Sequence, residues 1–327
     1  MNELSKDAVC WLTVGEDAAG QRVDNFLSRI LKGVPKSHIY RILRSGEVRV
    51  NKGRVGPDAR LAMGDVVRVP PVRTAAPARP AAGAGFARAG PDLPILFEDE
   101  ALIALDKPSG LAVHGGSGIA LGLIEQLRAA RPDAKFLELV HRLDRETSGI
   151  LLIAKKRAAL VGLHEQLREG GFDKRYLVLV RGRWRDEKRR VRLSLHKFAT
   201  QDGERRVRVG QDGQEAETIF YRRRTWFDRD PPLALLEAEL LTGRTHQIRV
   251  HLTHLGFPLA GDDKYGDFAW NKVLAKQGLK RMFLHSFSLG FVHPLTGEAM
   301  AFESPLPEDL MRFVARLDTA KEESHDA

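Results

Sequence analysis

Near the start of the chain, apolar residues recur at Val23, Phe26, Leu27, Ile30 and Leu31, a spacing that predicts an amphipathic helix. After GVPK a second short helix is predicted from Ser37, turning Ile39, Ile42 and Leu43 inward and ending at Gly46. EVRVNKG and GDVVRVP then read as short strands, with turns at 51–53 and 63–65. The pattern breaks at RTAAPARPAAGAGFARAGP, where alanine, glycine and proline show no apolar period. Such a run cannot bury enough surface to offset its ordering entropy, so residues 73–91 are expected to form a linker between two domains.

Beyond it, PILFEDEALIALDKPSGLAVH predicts two or three short strands with a tight turn at 107–110, followed by a helix over 119–130. KFLELV and GILLIAKK are β-rich runs on either side of VHRLDRETSGI. A helix is predicted over 157–169 on the stripe Leu160, Leu163 and Leu167. RYLVLVRG, RRVRVG, EAETIFYRRR and LALLEAELL are strand candidates, and GRTHQIRVHLTHLGFP reads as a turn and a helix stopped by Gly256 and Pro258. RMFLHSFSLGFVHP ends the sheet and PEDLMRFVARL forms a last helix. Many strands with few, irregularly placed helices predict an α+β fold with a mixed, largely antiparallel sheet. The expected organisation is a tail over 1–19, a small module over 20–72, the linker over 73–91, a large domain over 92–320 and a tail over 321–327.

Composition narrows the functional classes. No apolar run nears the roughly 20 residues that cross a bilayer, and MNELSKDAVC lacks the pattern of a secretory signal or transit peptide. The cytosol is the expected compartment, and the single cysteine, Cys10, excludes an internal disulfide or a cysteine-built zinc cage. The formal net charge is +9. Residues 20–72 hold eleven Lys and Arg against four Asp and Glu, so +7 of the excess sits in the small module. Lys36, Arg41 and Arg44 fall near one side of its second helix, with Arg49 and Lys52 beside them. This face suits either solvent or a polyanion.

Several familiar chemistries fail on spacing. HGGSGIALG has no Gly-Lys-Ser/Thr after it and lacks dinucleotide spacing, and no Gly-x-Ser-x-Gly elbow marks a serine hydrolase. His251 and His254 stand three apart on a predicted helix but lack a third ligand, so no metal and no cofactor is expected. Asp144 stands out among His141, Arg142 and Arg145. Strand alternation would put Asp144 and Arg142 on one face and Leu143 on the other. A carboxylate beside guanidinium groups stays ionised, fit to be a base or a nucleophile, although a plain structural ion pair gives the same pattern.

Two resemblances sharpen this reading. RVDNFLSRIL, SHIYRILRSGEVRVNKGRV and GDVVRVP resemble the alpha-L RNA-binding motif over about residues 20–71. HRLDRETSGILLIAKK, KRYLVLVRG and LTGRTHQIRVHLTHLGFPLAGDDKYG, in this order, resemble the RluA-type pseudouridine synthases, and the run through HEQLREG together with RMFLH is most similar to the RluC branch, which acts on large-subunit ribosomal RNA. The resemblance implies an isomerase that detaches uracil at N1, turns it and rejoins it through C5, with no cofactor. It makes Asp144 the essential aspartate, Arg249 its partner, Tyr176 the ring that stacks on the target base, and Arg142 the residue that fills the gap in the RNA. Attack on the sugar, attack on the base and proton abstraction all remain open to Asp144. Large-subunit ribosomal RNA is the expected partner, bound by a monomer. The competing readings are transfer RNA as substrate, a non-catalytic RNA-binding assembly factor, and a glycoside hydrolase using Asp144 and Glu146.

Overall fold

The computed structural model describes residues 8–15, 18–31, 33–72, 93–115, 121–200 and 204–319. The chain divides into two compact units, Met1–Ala89 and Gly90–Ala327. The stretch read as a linker, the terminal residues 320–327 and the glycine-rich 116–120 lie outside the described residues.

In the first unit, helices α1 (Val23–Ile30) and α2 (Lys36–Arg44) cover a four-stranded antiparallel sheet of β1 (Cys10–Thr13), β2 (Arg49–Val50), β3 (Gly53–Arg54) and β4 (Val66–Val69), ordered β1-β4-β2-β3. The stripe read from sequence is its core: Val23, Phe26, Leu27, Leu31, Ile39, Ile42 and Leu43 are buried together with Val48, Val67 and Val69. One boundary is corrected. Residues 10–13, expected in a tail, form β1 and pair with β4 from Cys10↔Val69 to Thr13↔Val66. Cys10 and Leu12 alternate with exposed Trp11 and Thr13, a period-2 signal too short to separate from a tail without its partner strand.

The second unit is built on an eleven-stranded sheet. Its strands are β5 (Ile95–Glu98), β6 (Leu102–Lys107), β7 (Glu138–Leu139), β8 (Ser148–Ala154), β9 (Asp173–Arg181), β10 (Lys188–Ala199), β11 (Arg205–Val209), β12 (Gln214–Trp226), β13 (Leu233–Leu240), β14 (Leu284–Val292) and β15 (Ala299–Glu303). The order is β11-β10-β12-β13-β9-β14-β8-β6-β5, with β15 on β14 and β7 on β8. Every named pairing is antiparallel except β14 with β8, so the α+β, largely antiparallel reading holds. Helices α3 (Leu123–Ala130), α4 (Arg157–Glu169), α5 (Gln247–His254), α6 (Phe268–Lys276) and α7 (Glu308–Thr319) complete the unit.

Strands β6 and β8 read as continuous apolar runs because both their faces are covered. Ile103, Leu105, Leu151 and Ile153 enter one core, which also holds Val178, Val180, Leu236 and Leu284. Leu102, Ala104, Ile150 and Leu152 enter another with Leu163 of α4. Three elements escaped the sequence reading: β10, whose inward Val191 and Leu195 are hidden among basic residues, β15, and α6, whose apolar stripe is weak. Of KFLELV, only Glu138 and Leu139 pair with β8.

The parallel seam fixes the register of the site. Ser286 of β14 stands opposite Gly149 of β8 on one side and Tyr176 of β9 on the other. Gly149 has φ +108°, and a Cβ there would collide with the Ser286 carbonyl oxygen. Only glycine tolerates both the dihedral and the approach. Gly149→Ala is therefore expected to lower stability by about 2–4 kcal/mol, read by denaturant unfolding of the buried tryptophans. Gly290→Ala, whose added Cβ would meet Asp173 at an ordinary 3.4 Å, should cost less than about 1 kcal/mol.

Candidate active site

Asp144 does not lie on a strand. Residues 142–147 form the loop that enters β8, with a turn closed by Thr147 N–H donating to the Asp144 carbonyl at 3.1 Å. The strand-face argument, and with it the placing of Asp144 and Glu146 along one strand, is corrected. Side chains still alternate in burial, with Arg142 exposed, Leu143 buried and Asp144 half-buried, because Leu143 anchors the loop in the main core.

A second loop holds this turn from below. Lys107, at the end of β6, is fully buried and donates to the carbonyls of Pro108 at 2.8 Å, Leu111 at 2.9 Å and Arg145 at 3.1 Å. Gly110 N–H also donates to Arg145 O, and Ser109 Oγ donates to Glu146 O at 2.7 Å. Three carbonyls take all three ammonium hydrogens, which favours the charged amine, while burial pulls its pKa down to about 7. The sequence showed only a turn at DKPSG.

Arg249 approaches from α5. Its guanidinium is 3% exposed and grips fully buried Asp262 with two bonds, Nε to Oδ2 at 2.7 Å and Nη2 to Oδ1 at 2.6 Å. The remaining nitrogen, Nη1, donates to Asp144 Oδ2 at 3.1 Å. The face of Tyr265 lies 5.1 Å from the guanidinium carbon, a cation–π contact. Burial alone would depress Arg249, but the bonds and charges of Asp262 and Asp144 outweigh it and raise its pKa. Burial opposes ionisation of Asp262 too, and its hydrogen bonds from Arg249, with those from the Lys264 and Tyr265 backbone N–H groups, carry its carboxyl below the usual range.

His246 completes the arrangement. It takes the left-handed conformation, φ 53°, at the N-terminal end of α5. Its Nδ1 lies 2.8 Å from Tyr265 Oη and its Nε2 lies 3.8 Å from Asp144 Oδ1. Tyr265 Oη accepts the Val207 N–H of edge strand β11 at 2.9 Å; where its own proton goes to His246 Nδ1, the imidazole proton is left on Nε2, facing Asp144. Burial lowers the pKa of His246 and favours this neutral ring.

These groups surround a small cavity of about 60 Å³, lined by Asp144, Arg142, Tyr176, His246 and Arg249 with Leu143, Leu240, Ile248 and Leu284 among its apolar walls. It adjoins a wider cleft of about 390 Å³ that shares Arg142, Asp144, His246 and Arg249 and adds His114, Arg145, Asp263 and Lys264. Tyr176 is 6% exposed, and burial pushes its phenol up to about 12. The four residues read from sequence therefore converge, and His246, Asp262, Tyr265 and Lys107 join them. His246, Asp262 and Tyr265 lay within GRTHQIR and AGDDKYG but carried no spacing signal of their own. His251 is fully buried and His254 exposed, and among the described residues no group of three or more His, Cys, Asp or Glu could hold a metal ion. In the other unit, Lys36, Arg41 and Arg44 lie exposed on α2, and Arg49 exposed on β2.

Breaking the Arg249–Asp262 pair strands a buried charge. Asp262→Asn is expected to cost about 3–5 kcal/mol at pH 7. A carboxyl depressed on folding contributes its full stability above the unfolded value near 3.9 and loses it as pH falls through the folded value. The variant should therefore show a shallower acid loss than the wild type in denaturant unfolding between pH 7 and pH 2. Equal acid slopes would locate that proton uptake elsewhere.

The RNA pseudouridylate synthase family matches residues 101–254, and the S4 domain family matches residues 21–67. The chain is 51% identical over 320 residues to the ribosomal large subunit pseudouridine synthase C of Pasteurella multocida (strain Pm70), a match spanning 98% of this chain and 97% of that protein. Against the protein of the same name in Escherichia coli (strain K12), identity is 52% over 314 residues, spanning 95% and 97%. The solved structure of human RNA pseudouridylate synthase domain containing 4 superposes with a TM-score of 0.52 at 25% identity, covering 68% of this chain and 92% of that one. A carboxylate and a buried arginine meeting at one cavity, on this sheet and within this near full-length likeness, are those of a chain that belongs to the RluA-type pseudouridine synthase family and carries an S4 domain ahead of its catalytic unit.

Proposed function

We propose that the protein isomerises specific uridines of large-subunit (23S) ribosomal RNA to pseudouridine. The observation that carries the reading is Asp144, held at 3.1 Å by the buried Arg249 beside a cavity lined by Tyr176, in a chain whose near full-length relatives bear that name. The reaction breaks the N1–C1′ bond, makes a C5–C1′ bond, releases the C5 proton and returns a proton to N1. It is redox-neutral and needs no group donor.

A uridine within folded RNA hides C1′ and C5, so it must leave the stack at a cost of a few kcal/mol, and stacking on an aromatic ring returns about 1–3 kcal/mol. Tyr176 takes the base, and exposed Arg142 at the cleft edge fills the space it vacates. Asp144 acts on the nucleotide, since a fixed carboxylate stabilises the positive charge that glycosidic cleavage builds at C1′. Arg249, donating from Nη1 to Oδ2, aims that carboxylate. The S4 unit adds affinity through Lys36, Arg41, Arg44 and Arg49. The protein works as a monomer in the cytoplasm; no helix among the described residues is long and apolar enough to cross a membrane.

Large-subunit ribosomal RNA transcribed with uridine tritiated at C5 should release tritium with the wild type and no added cofactor, and release should vanish with Asp144→Asn. Release unchanged in the variant would remove Asp144 from the chemistry. Replacing Lys36, Arg41, Arg44 and Arg49 together by Gln should flatten the dependence of log K on log salt by about 3 units, at roughly 0.7–0.9 per lost phosphate contact. A filter-binding titration across salt concentrations measures it.

A further inference from the structure

The sheet of the first unit presents an unusual row to solvent. Trp11 stands opposite Arg68, Arg68 opposite Arg49, and Arg49 opposite Arg54. Residues directly opposite on neighbouring strands share a face, so one tryptophan and three arginines take positions that cross all four strands over about 14 Å at the usual strand spacing, and the guanidinium groups of Arg49, Arg54 and Arg68 gather against Gly46 and Glu47 at the end of α2. The other face, through Cys10, Leu12, Val50, Val67 and Val69, turns toward the core. Trp11 is 47% exposed, while Trp184, Trp226 and Trp270 are buried. It is the one exposed tryptophan of the chain's four.

Like charges directly opposite one another destabilise a sheet unless something neutralises them. The four acids of residues 20–72 do not do so. Asp24 pairs with Arg22 at 2.9 Å, Glu47 takes Ser45 Oγ at 2.7 Å and Arg41 at 3.5 Å, Asp65 takes Asn51 and the Ala62 N–H, and Asp58 acts on Arg22. Among the described residues Arg68 and Arg49 reach backbone carbonyls, Glu47 O at 2.5 Å and Gly46 O at 3.3 Å. No carboxylate lies against the row among the described residues. The matched S4 domain ends at residue 67, so Trp11 and Arg68 lie outside it.

We propose that this row extends the RNA-binding face to which Arg49 belongs, taking an unpaired stretch of RNA with one base on the Trp11 indole and its phosphates on the Arg68, Arg49 and Arg54 cluster. The proposal rests on the reading of the protein as an RNA-binding enzyme. An indole needs a free base face, which single strands offer and a duplex keeps inside its stack. The guanidinium cluster supplies the sequence-independent attraction.

The test titrates the full-length protein with a ten-residue oligouridylate, and in parallel with an RNA duplex of the same length, following tryptophan fluorescence. The oligouridylate should quench the emission, the duplex much less, and Trp11→Leu should abolish the quenching and weaken binding about tenfold with the salt slope unchanged. Trp11→Phe, which keeps a ring, should retain most of the affinity without the quenching. Replacing Arg49, Arg54 and Arg68 by Gln should instead lower the salt slope by about 2, at roughly 0.7 per single-strand contact. Quenching that survives Trp11→Leu, or an affinity that Trp11→Leu and Trp11→Phe leave unchanged, would overturn the proposal. So would a wild type that binds large-subunit ribosomal RNA but not the oligouridylate. Failure of the wild type to bind any RNA at any salt would strike the enzyme reading itself.

Discussion

The catalytic unit depends on one buried ion pair. A guanidinium that is 3% exposed is costly to desolvate, and Asp262, fully buried itself, compensates it with a bidentate grip. Asp262 in turn takes the backbone N–H groups of Lys264 and Tyr265, so the segment after α5 wraps around the carboxylate that holds the helix. This geometry uses Nε and Nη2 of Arg249 and leaves Nη1 to reach Asp144. The charge that faces the Asp144 carboxylate is thereby fixed from behind.

The carboxylate is fixed from its own side by backbone. Lys107 and the 107–111 loop bind the carbonyls of Arg145 and Glu146, and the parallel pairing of β14 with β8 brings Ser286 against Gly149 just beyond. Tyr176 lies on the next strand, opposite the same Ser286. Three strands, two loops and helix α5 therefore place a carboxylate, an arginine and an aromatic ring around one small cavity. Tyr265 ties the arrangement to the sheet edge, because its hydroxyl links β11 to His246.

Local pattern made much of this legible. The stripe Leu160, Leu163, Leu167 gave α4 its full extent, and the apolar run after Ser148 gave β8, because burial on one or both faces writes itself into periodicity. The alternation around Asp144 misled, since a loop anchored by Leu143 shows the same in-and-out burial as a strand. The contact between Arg249 and Asp144 spans 105 residues of sequence, and no spacing rule reaches so far; family resemblance brought the two together. Asp262 and Lys107 stayed hidden for another reason. A fully buried charge looks like a surface charge in sequence, and its partners are a distant guanidinium or backbone carbonyls that leave no mark of residue type. Strand β1 was lost through its length, for four residues carry too little alternation to be read alone.

The proposed action of Asp144 on an extruded uridine makes a specific claim about product and target. The most direct measurement is position-by-position mapping of pseudouridine, by carbodiimide labelling and mass spectrometry, in large-subunit ribosomal RNA, small-subunit ribosomal RNA and transfer RNA incubated separately with the purified protein and no cofactor. The account predicts new pseudouridine at discrete positions of the large-subunit RNA alone. Pseudouridine confined to transfer RNA, or free uracil released in its place, would contradict it.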